Sequence, residues 1–178
     1  MVGSRIGKYR LLKQLGEGGM GVVYEAVRED IAARAAIKVL RPEYAANPEL
    51  AGRFFNEARA ANLIAHPGIV RVFDYGAEEG GIAYLAMEYL EGESLWKRIE
   101  RQKKLPVPEA LRIARQIASA LAAAHEKQIV HRDLKPPSIP SRNENRTGLG
   151  KRRENRSYNH PLRNGCPGFF AWDDRAGG

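Results

Sequence analysis

Through the first 90 residues, short apolar runs are separated by glycine, proline and charged clusters, the punctuation of a strand-rich region. YRLLKQL (9–15) and VVYEAV (22–27) flank GEGGMG, which predicts a hairpin, and ARAAIKVL (33–40) predicts a third strand ending before Pro42. The period then changes. In PELAGRFFNEARAANLI (48–64), Leu50, Phe54, Ala58, Ala61 and Leu63 or Ile64 recur at steps of three and four, predicting an amphipathic helix with Pro48 in its first turn. IVRVFDYG (69–76) and GIAYLAMEYL (81–90) predict two more strands around EEGG. The region therefore reads as five strands and one helix.

After LEGES the pattern turns helical. SLWKRIERQ (94–102) predicts a short helix, and Pro108 suits the first position of a longer one over EALRIARQIASALAAAHEKQ. Its expected apolar stripe is Leu111, Ala114, Ile117 or Ala118, Leu121 and Ala124, which requires a closely packed partner. Residues 139–165 carry almost no apolar periodicity and many turn formers, so they are expected to be disordered or loosely held.

Composition adds limits. At 178 residues the chain holds one domain with a core, or that domain and part of a second. The net charge is +8, and residues 139–178, with 8 Lys and Arg against 4 Asp and Glu, supply half of it. No apolar run approaches the roughly 18 to 20 residues that span a bilayer, and MVGSRIGKYR lacks a signal-peptide core, so a cytoplasmic chain without a membrane segment is expected. A single cysteine, Cys166, excludes an internal disulfide and a cysteine-based zinc site. The basic run KRRENR (151–156) has no interleaved aromatics and reads as solvated chain, so no nucleic-acid partner is expected.

Three motifs carry chemistry. Gly16, Gly18 and Gly21 with Val23 form G-x-G-x-x-G-x-V, where bare backbone N–H groups can approach a phosphate. Alone this is a turn as readily as a phosphate cradle. A dinucleotide fold would need a helix after the glycines, whereas the β-branched VVY continues a strand. Lys38 in AAIKVL lies on the next predicted strand; it is either a solvent-facing lysine or, with Glu57 on the following helix, half of an ion pair that holds an ammonium against phosphates. HRDLKP (131–136) places Asp133 beside Arg132 and Lys135, either a surface cluster or a carboxylate poised to accept a hydroxyl proton.

In this order, together with FFNEAR, HPGIV, MEYLEGESL and AAHEKQIVHRDLKP, these segments resemble the protein kinase family, specifically bacterial serine/threonine kinases of the eukaryotic-like type, over residues 9–138. The resemblance implies an α+β, protein-kinase-like fold: a five-stranded antiparallel N-lobe with one helix at 9–90, then the hinge and an incomplete helical C-lobe at 91–138, with 1–8 as an extension and 139–178 as an aberrant basic tail. It implies ATP and Mg2+ as cofactors and proteins as substrates, phosphorylated on Ser or Thr. By position, Gly16, Glu17, Gly18, Gly19, Met20, Gly21 and Val23 would cover the phosphates, with Leu15 also among the nucleotide-binding residues. Lys38, paired with Glu57, would hold the α and β phosphates. Val23 and Ala36 would sandwich adenine, Met87 would be the gatekeeper, and the backbone of Glu88 and Leu90 would bind the adenine edge. Asp133 would orient the substrate hydroxyl and Lys135 would offset phosphoryl charge; Lys135 also favours serine/threonine over tyrosine specificity.

The chain departs from the family where H-R-D-L-K-P-x-N should end in asparagine. Ser138 stands there, a weaker magnesium ligand, and no D-F-G follows Asp133. ATP-dependent transfer is therefore expected to be impaired, and a catalytically inactive nucleotide-binding fragment is the alternative. CPGFFAWDD (166–174) is faintly similar to the family's G-T-P-G-Y-M-A-P-E. Either residues 137 to about 163 are encoded in a shifted frame, or the likeness is chance.

Overall fold

The structure, a computed structural model, describes residues 1–78, 80–131, 134, 141–142 and 172–173. Six antiparallel strands form one sheet: β1 (Arg5–Ile6), β2 (Tyr9–Glu17), β3 (Gly21–Arg28), β4 (Ala33–Leu40), β5 (Val72–Glu78) and β6 (Ile82–Glu88), in the spatial order β1-β2-β3-β4-β6-β5. The sixth strand is β1, outside the five expected. It is two residues long, turned back onto Tyr9 through Gly7 at a left-handed φ of 55°, and is too short to leave a periodic signal. β4 lies at the centre and is covered on both faces, because its alternating side chains feed two cores. Ala36 and Leu40 join Leu85, Met87 and Phe54 on one side; Ala35, Ile37 and Val39 join Ile6, Tyr9, Leu11, Tyr24 and Tyr84 on the other.

Two helices follow β4. α1 (Pro42–Ala45) is one turn, and α2 (Pro48–Leu63) is the expected long helix. Asn47 caps α2 through its side-chain oxygen, which accepts from Glu49 N–H at 3.0 Å and Leu50 N–H at 3.3 Å, and Pro48 occupies the first helical position. Phe54, Ala58 and Ala61 face the sheet as their spacing predicts, and the last core position is Ile64, since Leu63 is exposed. Asn62 ties α2 to β5 as a strand would: its Nδ2 donates to Val72 O at 3.0 Å, and Val72 N–H donates to its Oδ1 at 3.2 Å.

The strand expected from Ile69 begins at Val72 instead. Gly68 N–H donates to His66 Nδ1 at 2.9 Å and Ile69 N–H to His66 O at 3.0 Å, closing a turn that keeps Ile69 and Val70 buried but outside the sheet. Those two side chains share one buried cluster with Ala120 and Ala124 of α4 (Val107–Glu126), and His66 Nε2 lies 3.1 Å from Ser119 Oγ. α3 (Leu95–Gln102), capped by Ser94, packs Leu95 and Ile99 against Ile113 and Ile117.

The stripe expected on α4 is partly out of phase. Ile113, Ala120 and Ala124 are buried, with Ile117 and Leu121 partly so, whereas Leu111 is 66% exposed and Ala114 is exposed. Pro108 takes the second helical position, after Val107. α4 ends in a Schellman arrangement, with Gln128 left-handed at φ 58° and Ile129 N–H donating to Ala124 O at 3.0 Å, which buries Ile129. Beyond it, β7 (Ser141–Arg142) and β8 (Trp172–Asp173) pair in parallel. The disorder expected of 139–165 otherwise concerns residues outside those described. Among the described residues no helix is long and apolar enough to cross a membrane.

Candidate active site

Sheet register gathers the expected nucleotide residues on one face. Val23 pairs with Lys38, Glu25 with Ala36 and Ala36 with Met87, and directly opposed residues of antiparallel strands point the same way. Met87 and Ala36 are buried at the back of this face, with Val23 and Leu90 packed beside them.

α2 crosses the same face and presents Glu57. Lys38 Nζ lies 3.6 Å from Glu57 Oε2 and 5.4 Å from the centre of the Phe54 ring. Glu57 is buried, and that burial pushes its carboxyl above the ordinary carboxylate range, with the Lys38 ammonium pulling it back. A pair this desolvated adds little net stability, so its consequence is positional: it fixes a cation whose side chain keeps 19% of its surface open.

The glycine hairpin divides its glycines between two tasks. A Cβ on Gly21 would lie 2.2 Å from Val39 O, so this glycine lets β3 start directly against β4. Around Gly16 and Gly19 an added Cβ would meet nothing within 4 Å, and at Gly18 only Gly21 O at 4.0 Å. That empty rim is the space an anion would use, and a side chain would fill it. Gly18 N–H donates to Gly21 O at 2.9 Å, closing the tip. Arg41 holds the hairpin from below, since its backbone N–H donates to Met20 O at 3.0 Å and its guanidinium pairs with Glu17, offsetting a carboxylate where phosphate is expected. Leu15, at the near end of the hairpin, is 40% exposed.

At the segment joining sheet to helices, Glu88 N–H donates to Arg71 O at 3.0 Å, and Arg71 N–H donates to Glu88 Oε1 at 2.8 Å. The Glu88 N–H is therefore engaged with Arg71. Sequence reasoning missed a charged group here: Arg34 bridges Glu25 and Glu91 over the Tyr89 ring. The available signal was its spacing, because Arg34 shares the strand face of Ala36 and Lys38.

The expected catalytic residues Asp133 and Lys135, and the magnesium candidate Ser138, lie outside the described residues. His131, immediately before them, is buried. Among the described residues no group of three or more His, Cys, Asp or Glu could hold a metal ion. The open glycine rim and the fixed Lys38 ammonium suit phosphate groups, and the described residues do not supply a magnesium site.

Comparison with known proteins agrees with this geometry. The protein kinase domain model matches residues 9–146. The serine/threonine-protein kinase PrkC of Bacillus subtilis is 46% identical over 140 residues, covering 78% of this chain and 22% of that protein. PknA of Mycobacterium tuberculosis is 43% identical over 137 residues, covering 75% of this chain and 32% of PknA. Among solved structures, the PknI kinase domain of Mycobacterium tuberculosis superposes with a TM-score of 0.66 at 33% identity, over 78% of this chain and 55% of that domain. This chain spans less than a third of those two curated relatives and just over half of the solved kinase domain. With matched sequence, the kinase sheet order and the Lys38–Glu57 pair in place, the chain belongs to the protein kinase family, alongside bacterial serine/threonine kinases.

Proposed function

We propose that this chain binds ATP in the cleft between sheet and hinge, as part of a serine/threonine protein kinase that transfers the γ-phosphate to protein hydroxyls. The observation that carries the proposal is the Lys38–Glu57 pair, a desolvated carboxylate holding an ammonium beneath an open glycine rim. Lys38 grips the α and β phosphates, and Gly16, Gly18 and Gly19 let backbone N–H groups approach them. Val23 and Ala36 enclose the base in front of Met87, with the Glu88 carbonyl and the Leu90 N–H on its edge. Asp133 orients the acceptor hydroxyl and Lys135 offsets charge on the phosphoryl group.

Magnesium would neutralise phosphate charge, yet the chain has Ser138 at one ligand position and no Asp-Phe-Gly after Asp133. Binding of ATP is therefore retained more fully than transfer, which falls by orders of magnitude. The test measures ATP binding and magnesium-dependent phosphate transfer to a generic basic protein, for this chain and for Lys38→Met. Binding that weakens in Lys38→Met, with transfer slow in both, supports the proposal. Transfer at an ordinary kinase rate overturns its second half, and no ATP binding overturns the first.

A further inference from the structure

Arg34 stands on the nucleotide face of β4, two residues before Ala36, where a strand reading would place a solvent-facing cation. Its guanidinium is instead used on three sides. Nε and Nη2 both donate to Glu25 Oε1, at 3.2 and 2.8 Å, Nη1 donates to Glu91, and the plane lies 4.0 Å from the centre of the Tyr89 ring. Glu25 is directly opposite Ala36 on β3, while Tyr89 and Glu91 flank Leu90 in the hinge. One side chain thus fastens the strand that roofs the base to the segment whose backbone would read its edge.

We propose that Arg34 is a positioning residue that clamps the hinge onto β3 and β4, presetting the Glu88 carbonyl and the Leu90 N–H for adenine. The inference rests on the nucleotide site proposed above, and it adds a division of labour: Lys38 sets affinity for the phosphates, Arg34 for the base. Only arginine suits the position, because the clamp needs a flat cation that stacks on a ring and donates to two carboxylates at once. The contacts are partly exposed, so they are screened by salt and each is modest; they act together with the Tyr89–Glu25 hydrogen bond and the packing of Leu90 on the core.

The test compares ADP with inorganic tripolyphosphate on the full chain, for the native protein, Arg34→Ala, Arg34→Lys and Glu91→Gln, with amide hydrogen exchange of residues 88–91 followed without ligand. Arg34→Ala is expected to weaken ADP by about five- to tenfold and tripolyphosphate by less than about twofold. Hinge amides then exchange faster by a similar factor. Arg34→Lys recovers little of either, and Glu91→Gln shows a smaller loss with the same selectivity for ADP. Equal weakening of both ligands, or native-like hinge exchange in Arg34→Ala, overturns the clamp. If the native chain binds neither ligand, the nucleotide site itself falls; native binding of both with ADP affinity unchanged in Arg34→Ala sinks the clamp alone.

Discussion

The sheet half and the helical half of this molecule are finished to different degrees. In the sheet half, β4 is buried on both faces, and Phe54, Leu11, Ile37 and Leu85 have no exposed surface. Across the hinge, the described core between α3 and α4 is built on Leu95 and Ile113, while Val107 and Leu111 remain 70% and 66% exposed. The elements proposed to grip phosphate and base are those with a closed core behind them. Ligand positioning needs rigid support, so the proposed nucleotide binding would be carried by the sheet half and be separable from transfer.

The largest effect that sharpens this contrast is expected from Phe54→Ala, which empties a core position directly beneath Lys38 and should cost about 3 to 5 kcal/mol in denaturant unfolding. The matched change on the other side, Leu111→Ala, should stay within about 0.5 kcal/mol. Comparable losses from the two would break the contrast.

Next in size is a pair of glycines. Gly21→Ala forces a Cβ to 2.2 Å from Val39 O and should lose about 1 to 3 kcal/mol of stability. Gly18→Ala meets only open space, so its melting temperature should match the native chain while ATP affinity falls several-fold. A stability loss in Gly18→Ala as large as that in Gly21→Ala would show that the rim is packed, not open.

Two smaller effects depend on pH. Burial raises the Glu57 carboxyl in the folded chain, so the folded state binds the more protons. Stability from this group is full below the ordinary carboxylate range and declines as pH rises through the raised value. Glu57→Gln should remove that decline, seen as a melting-temperature profile that is flatter above pH 4.5 than that of the native chain. His66 has the opposite sign. Burial lowers its imidazole below the ordinary 6.5, and protonating Nδ1 would forfeit the Gly68 hydrogen bond. Its contribution is present above pH 6.5 and is lost as pH falls through the depressed value, a slope that His66→Gln should abolish.

The same contrast governs what could be read from the chain. Strands β2, β3, β4 and β6 and helix α2 were legible, because large apolar residues and glycines mark period and turns without ambiguity, and the convergence of Val23, Ala36, Lys38, Glu57 and Met87 was legible only through the resemblance to the kinase family. The phase of α4 was not. Alanines at 110, 114, 118, 120, 122, 123 and 124 occur on every side of the helix, and which of them is buried is decided by tertiary packing, Ala120 and Ala124 joining the cluster that holds Ile69 and Val70. The start of β5 was also hidden, since Ile69 and Val70 are as apolar as strand residues but are turned out of the sheet by His66. Arg34 escaped because a lone strand cation gives no sign of its partners until Glu25, Tyr89 and Glu91 are brought together. The expected roles of Asp133, Lys135 and Ser138 rest on the order of the motifs and the family resemblance, since those residues lie outside the described ones.

The most direct measurement is calorimetric titration of ATP into the native chain and into Lys38→Met, with thermal melting of both. The native chain should bind, and Lys38→Met should bind at least about tenfold more weakly while still melting cooperatively at a lower temperature, since removing Lys38 takes away the phosphate grip and leaves the Glu57 carboxylate buried without its ammonium. Equal ATP affinity in the two proteins would contradict the claim that the Lys38–Glu57 pair builds a nucleotide site.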